Sequence, residues 1–171
     1  VYGELYIDLI DALFGEVQGW STEDRGTAAP LAIVSLKISA LEPHLDAADL
    51  RGSIARARRR VEPILSAAKS AGVFVNFDVE QHAMHEVTYS LFEELAASAE
   101  CPAWPHLGIV IQAYGMHSEA FLERLLNLAR TRGAPVTIRL VKGAYWDYEV
   151  IQADQNGYEP PVFGQKTQTD A

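Results

Sequence analysis

The stretch Leu31–Ile38, LAIVSLKI, decides the fold. Ala32, Val34, Leu36 and Ile38 are apolar, while Ser35 and Lys37 fall on the opposite side of an extended strand. Three later stretches repeat the pattern. Val73–Asp78 (VFVNFD) sets Val73, Val75 and Phe77 against Asn76 and Asp78. Leu107–Ala113 (LGIVIQA) sets Ile109 and Ile111 against Gln112, and Val136–Val141 (VTIRLV) sets Val136, Ile138 and Leu140 against Thr137 and Arg139. One face is uniformly apolar, and the other carries polar groups near the C-terminal end of each strand. A doubly wound sheet is covered by helices on both faces and needs strands apolar on both. The pattern fits a (β/α) barrel instead, whose outer face meets helices and whose upper lumen holds the active site.

Helical stretches separate these strands, and alternation of this kind implies a parallel sheet. The spacing predicts helices near 4–20, with Tyr6, Ile10, Leu13 and Val17 on one face, and near 53–70, with Ile54, Val61, Ile64, Leu65 and Ala68 inward. Pro63 lies inside the second and removes one hydrogen bond, while Arg56, Arg58, Arg59 and Arg60 read as its solvated side. Further helices are expected near 86–98, from an N-cap at Ser118 to a stop at Gly133, and near 147–155. Residues 1–30 read as an N-terminal helix and linker, and residues 31–171 as the barrel portion. Four strand–helix units are half of the eight in a complete α/β TIM barrel, which takes ~250 residues, so the barrel is expected to continue past Ala171.

Composition narrows the function. The 171 residues carry 14 Lys+Arg against 23 Asp+Glu, a formal net charge of −9 that disfavours nucleic acid as a partner. At 49% hydrophobic residues a sizeable core is within reach. No apolar run approaches the roughly 20 residues of a membrane-spanning helix. The single cysteine, Cys101, excludes an internal disulfide framework and a thiolate zinc site, and fits a reducing cytoplasm. No basic-then-apolar signal segment follows Val1.

Few residues stand out chemically. Lys37 and Asp78 are ionisable groups within otherwise apolar strands. They read either as an ion pair between neighbouring strands or as a site cation oriented by a carboxylate; their shared lumen parity favours the second. On the same parity, the Arg139 guanidinium can hold an anion or donate to a cofactor ring, and Gln112 can read a heterocycle edge or be a satisfied lumen amide. His82 and His85 lie three apart with Glu86 next, a metal-capable spacing, but they fall past the strand end in a loop or first helical turn and read best as a solvated loop, and no metal site is expected. His44, His106 and His117 fall in connections. The glycines form neither a dinucleotide fingerprint nor a P-loop. Gly143 after the fourth strand offers close backbone approach to a ligand. Tyr145 and Trp146 read equally as stacking platforms and as packing aromatics.

The run Arg139-Leu140-Val141-Lys142-Gly143-Ala144-Tyr145-Trp146-Asp147 resembles the signature segment of proline dehydrogenases, most of all the proline dehydrogenase domain of the bacterial bifunctional proline utilization A family. Val34–Leu41 (VSLKISAL), Asn76–Glu80 (NFDVE), Gly108–Tyr114 (GIVIQAY) and Pro161–Asp170 (PVFGQKTQTD) agree in order and spacing. The resemblance covers roughly Leu31 to Ala171. It implies a distorted (β/α)8 barrel with FAD above the strand ends. Lys37 would help hold the proline carboxylate, and Asp78 would order that cationic pocket. Gln112 would face the flavin pyrimidine edge, with Arg139 beside N5. Val141, Lys142, Gly143 and Ala144 would run along the cofactor, and Ala144 and Tyr145 would touch substrate. Trp146 would lie against adenine, and Lys166 and Thr169 would contact the adenosine and pyrophosphate part. Gly164 departs from the hydroxyl residue usual there. The family's paired arginines, which clamp the substrate carboxylate from the last barrel helix, have no counterpart here, so this stretch alone is not expected to oxidise proline.

The implied reaction moves a hydride from C5 of L-proline to flavin N5, giving 1-pyrroline-5-carboxylate, the first step from proline to glutamate. The cofactor takes the electrons while the protein orients the substrate and tunes the ring. The resemblance further implies a downstream L-glutamate gamma-semialdehyde dehydrogenase domain using NAD, a quinone electron acceptor and a homo-oligomer. It implies a cytoplasmic protein that meets the inner membrane peripherally. The competing readings are a Schiff-base barrel enzyme using Lys37 or Lys142, and a noncatalytic barrel-like binding domain.

Overall fold

The structure is a computed structural model describing residues 2–18, 30, 32–98, 101 and 103–170. The linker expected before the barrel lies, over residues 19–29, outside the described residues. Helix α1 (Tyr2–Val17) comes first. The units that follow are β1 (Ile33–Leu36), α2 (Ile38–Leu41) and α3 (Leu50–Ala71); β2 (Phe74–Phe77) and α4 (His85–Ala96); β3 (Leu107–Gln112) and α5 (Ser118–Arg132); and β4 (Thr137–Val141), α6 (Trp146–Asn156) and α7 (Lys166–Thr169). The strands form one parallel sheet in chain order, β1-β2-β3-β4. Val34 stands opposite Val75, Phe77 opposite Ile109, and Val110 opposite Arg139.

The face that alternation marked as apolar packs the core. Val34, Leu36, Val75, Phe77, Ile109 and Ile111 join the main hydrophobic cluster, while Ser35 and Lys37 are exposed. Helix α3 supplies the other side. Asp49 caps its start by accepting from the Gly52 amide, Gly72 ends it in the left-handed conformation, and Ile54, Ala57, Val61, Ile64, Leu65 and Ala68 form its buried stripe. Burying each larger aliphatic chain contributes about 1.5–3 kcal/mol. Its arginines pair outward, Arg56 with Asp49, Arg58 with Glu62 and Arg60 with Glu42. Helix α1 lies against α3 with Ile10 fully buried, and Tyr6, Leu13 and Val17 border the same core.

Three expectations change. Lys37 and Asp78 lie one residue past their strands, because the chain turns at Lys37 into α2 and leaves β2 after Phe77. The N-cap of α5 is His117; the Ser118 hydroxyl instead donates to the carbonyls of Gln112 and Gly115. Leu140, expected beneath a helix, is 69% exposed, because β4 is an edge strand flanked on that side by no further strand among the described residues.

On the lumen side β3 is buried throughout. Gly108 makes this fit: a Cβ there would lie 2.7 Å from the Phe74 ring of the neighbouring strand.

Candidate active site

The polar residues at the strand ends converge. Lys37, Asp78, Gln112, Arg139, Val141, Lys142, Gly143, Ala144 and Tyr145 line one cavity of ≈ 310 Å³ at the C-terminal end of the sheet. The four lumen residues share it because each occupies the same parity on its strand or the first step beyond it.

The ion pairs are arranged differently from the sequence reading, which coupled Lys37 to Asp78. Arg139 Nη2 donates to Asp78 Oδ1 at 2.6 Å, and the Asn76 amide donates to the same oxygen at 3.1 Å. Lys37 Nζ faces Glu80 Oε1 at 3.9 Å. The backbone amide of Lys37 donates to the Tyr6 hydroxyl at 3.4 Å, so α1 reaches the mouth of the cavity. The physical reason is reach: Asp78 and Arg139 stand level on either side of Val110, and a guanidinium spans the gap. Lys37 and Arg139 side chains remain about half exposed and face the open cavity.

A second cleft of ≈ 260 Å³ shares Lys142 and Gly143 with the first and is lined also by Tyr114, Trp146, Phe163, Gly164, Lys166 and Thr169. Gly143 has φ 127°, a conformation suited to glycine, and a Cβ there would come 1.7 Å from Cε1 of Tyr114. Tyr114 is buried, which pushes its phenol up to about 12, so it stays neutral. The chain is held here by Ala113 and Tyr114 amides donating to the carbonyls of Val141 and Lys142. Trp146 begins α6, donates its indole N–H to the Phe163 carbonyl at 2.9 Å, and leaves 41% of its surface open. Lys142 and Lys166 both donate to Asp170, which sets two ammonium groups side by side.

Sequence reasoning missed His85. The solvated-loop reading is wrong: His85 opens the first turn of α4, the alternative the spacing allowed, and is 7% exposed. Its Nε2 lies 3.1 Å from Gln112 Oε1 and 3.1 Å from the Glu80 carbonyl. Burial pushes its imidazole down to about 4, keeping it neutral. The only local signal was an imidazole three residues after His82, a spacing that suggested metal instead. His82 is partly buried and stacks on His117 at 5.7 Å.

The family model for proline dehydrogenase matches residues 2–171. The chain belongs to the proline dehydrogenase family. The bifunctional protein PutA of Rhizobium meliloti is 36% identical over 139 residues, covering 80% of this chain and 11% of its own length. PutA of Escherichia coli (strain K12) is 33% identical over 138 residues, covering 80% of this chain and 10% of its own. The crystal structure of proline utilization A (PutA) from Bdellovibrio bacteriovorus inactivated by N-propargylglycine matches with TM-score 0.94 at 36% identity. That match covers 99% of this chain and 18% of the other, so the chain spans a small part of the relatives it matches. The four-stranded sheet is part of a proline dehydrogenase TIM barrel.

Within that family fold, the cavity occupies the end of the barrel where strand C-termini carry function. The twelve residues to which the resemblance assigns site roles each line one or both of these two hollows.

Proposed function

We propose that this chain contributes the substrate cations and much of the flavin cradle of an enzyme that oxidises L-proline to 1-pyrroline-5-carboxylate. The observation that carries the reading is the meeting of Lys37, Asp78, Gln112 and Arg139 with the Val141–Tyr145 segment in a single cavity of a proline dehydrogenase barrel. The residues present fit FAD. The two hollows flank Lys142 and Gly143, which line both, and together they offer room for the two ends of a dinucleotide. Lys142 and Lys166 provide cations for a pyrophosphate, Thr169 a hydroxyl, and the open face of Trp146 a stacking surface for adenine. Gln112 and Arg139 line the wider end, where an isoalloxazine edge would be read.

When bound, the flavin supplies the acceptor for a hydride from proline C5, with N5 as the receiving atom and the substrate amine losing a proton. The protein's part is positioning. Lys37 attracts the carboxylate and, with Ala144 and Tyr145, limits how the ring can lie. Asp78 holds the Arg139 guanidinium in place. Fixed positive charge at that point favours an electron-rich ring and costs no reorganisation during the reaction. That the Bdellovibrio relative is inactivated by N-propargylglycine, an amino-acid derivative, supports an amino-acid substrate here.

We assign these groups to residues 31–171, with residues 1–30 leading into them. The relatives are named bifunctional. We assign NAD to a second activity of the whole protein, L-glutamate gamma-semialdehyde dehydrogenase, rather than to these residues. We further assign a quinone as the electron acceptor and a homo-oligomeric, cytoplasmic protein meeting the inner membrane at its surface. Among the described residues no helix is long and apolar enough to cross a membrane.

The test is anaerobic addition of L-proline to the purified holoenzyme. Bleaching of the flavin absorbance is expected. A flavin-free protein, or one that borohydride traps as a lysine adduct with a carbonyl substrate, would overturn the reading.

A further inference from the structure

His85 has no place in the proposed reaction, yet it is held with unusual care. Its ring is packed edge-on to Tyr89 at 6.1 Å, Phe121 at 5.9 Å and His82 at 5.1 Å, and Tyr89 and Phe121 stack on each other at 4.0 Å. Both atoms facing Nε2, Gln112 Oε1 and the Glu80 carbonyl oxygen, are acceptors only. Nε2 therefore carries the proton and donates. Burial keeps the ring neutral, and the two acceptors at Nε2 place its single proton there.

The consequence falls on Gln112. Its Nε2 donates to the carbonyls of Val79 at 2.8 Å and Glu80 at 3.1 Å, so both amide hydrogens are used within the protein. Turning the amide over would set its NH2 against the His85 N–H and its oxygen against two carbonyls, losing every bond at a buried position. What remains open is one lone pair of Oε1.

We infer that His85 is a positioning residue that, together with the Val79 and Glu80 carbonyls, locks the Gln112 amide, so that Gln112 recognises its ligand only as an acceptor, through an N–H group. This rests on the proposal that the flavin pyrimidine edge lies against Gln112. That edge alternates carbonyl acceptors with one imide donor, N3–H. A free amide can meet either kind of group; a locked one selects N3–H.

The experiment removes flavin from the holoenzyme and titrates the apoprotein with FAD and with 3-methyl-FAD, in which N3–H is replaced by N–CH3. The wild-type protein is expected to bind 3-methyl-FAD about tenfold or more weakly than FAD, the size of one hydrogen bond plus crowding. His85→Leu, which removes the donor to Oε1 and leaves the amide held only through its NH2 by the Val79 and Glu80 carbonyls, should bind FAD less tightly and narrow the preference between the two flavins several-fold. His85→Gln, which restores a donor, should recover it. An unchanged preference in His85→Leu, or equal binding of the two flavins by wild type, overturns the inference while leaving flavin binding intact. The wild-type comparison holds even if His85→Leu fails to fold. A protein that takes up neither flavin overturns the functional proposal and this inference together.

Discussion

Asp78 and Arg139 are joined by a 2.6 Å hydrogen bond across a strand that belongs to neither. Phe77 pairs with Ile109 and Val110 pairs with Arg139, so Asp78, Val110 and Arg139 stand level on three successive strands. Strands lie roughly 4.8 Å apart, and only a long side chain bridges two such steps. The pair leaves Val110 as the floor of the cavity and holds the guanidinium over it.

Coupling between these two residues should be measurable. Asp78→Asn and Arg139→Lys are expected to be non-additive in the rate of flavin reduction by proline. The coupling should be about 1 kcal/mol, modest because Arg139 is half exposed and the pair is partly screened. Strict additivity in the double-mutant cycle would mean that the bond does no work in the reaction.

Lys37→Met should raise the proline concentration needed for half-maximal flavin reduction. The loss of one charge-assisted contact to a carboxylate is about 1.5–3 kcal/mol, or roughly 10- to 150-fold. Unchanged proline dependence would assign Lys37 to its ion pair with Glu80 alone.

Gly143→Ala should be severe. The methyl group would enter the Tyr114 ring, and alanine resists a φ of 127°. Backbone strain of this kind costs of order 1–3 kcal/mol before the collision is counted. A lowered Tm and weakened flavin retention are expected by differential scanning fluorimetry. A variant with wild-type Tm and flavin content would show that this segment gives way more easily than its packing implies.

His85 should make stability depend on pH. Its imidazole titrates near 6.5 in the unfolded chain and is pushed down by burial to about 4 in the folded one. Between those values the unfolded chain binds more protons, so stability falls as pH drops through that window and levels off below it. The whole loss is about 3 kcal/mol. Urea denaturation of wild type and His85→Gln across the window should show a smaller acid loss in the variant, and parallel curves would contradict the assignment.

The strands were legible because alternation is a local property. Val34 and Leu36 pack inward with Ser35 outward, as period-two spacing requires. The convergence of Lys37, Asp78, Gln112 and Arg139 was equally legible, since parity and strand order suffice to place them. Partner choice was not. Asp78 reaches Arg139, 61 positions away, because of register between strands, which no single strand encodes. His85 was illegible for a similar reason. Tyr89 and His82 are near in sequence, but Phe121 of α5, which completes its packing, and Gln112 of β3, which it holds, are distant, so its neighbours in sequence give no hint of either. Leu140 shows the converse: its apolar character predicted cover, but cover depends on what stands beside an edge strand.

The strand order has a consequence for synthesis. Because β1, β2, β3 and β4 lie side by side in the order they are made, each new strand finds its partner already present, roughly 30–40 residues back along the chain. A ribosome releasing this chain from its N-terminus exposes one growing edge at a time. The cavity is therefore closed last, when β4 brings Arg139 level with Val110 and the earlier Asp78 acquires its partner.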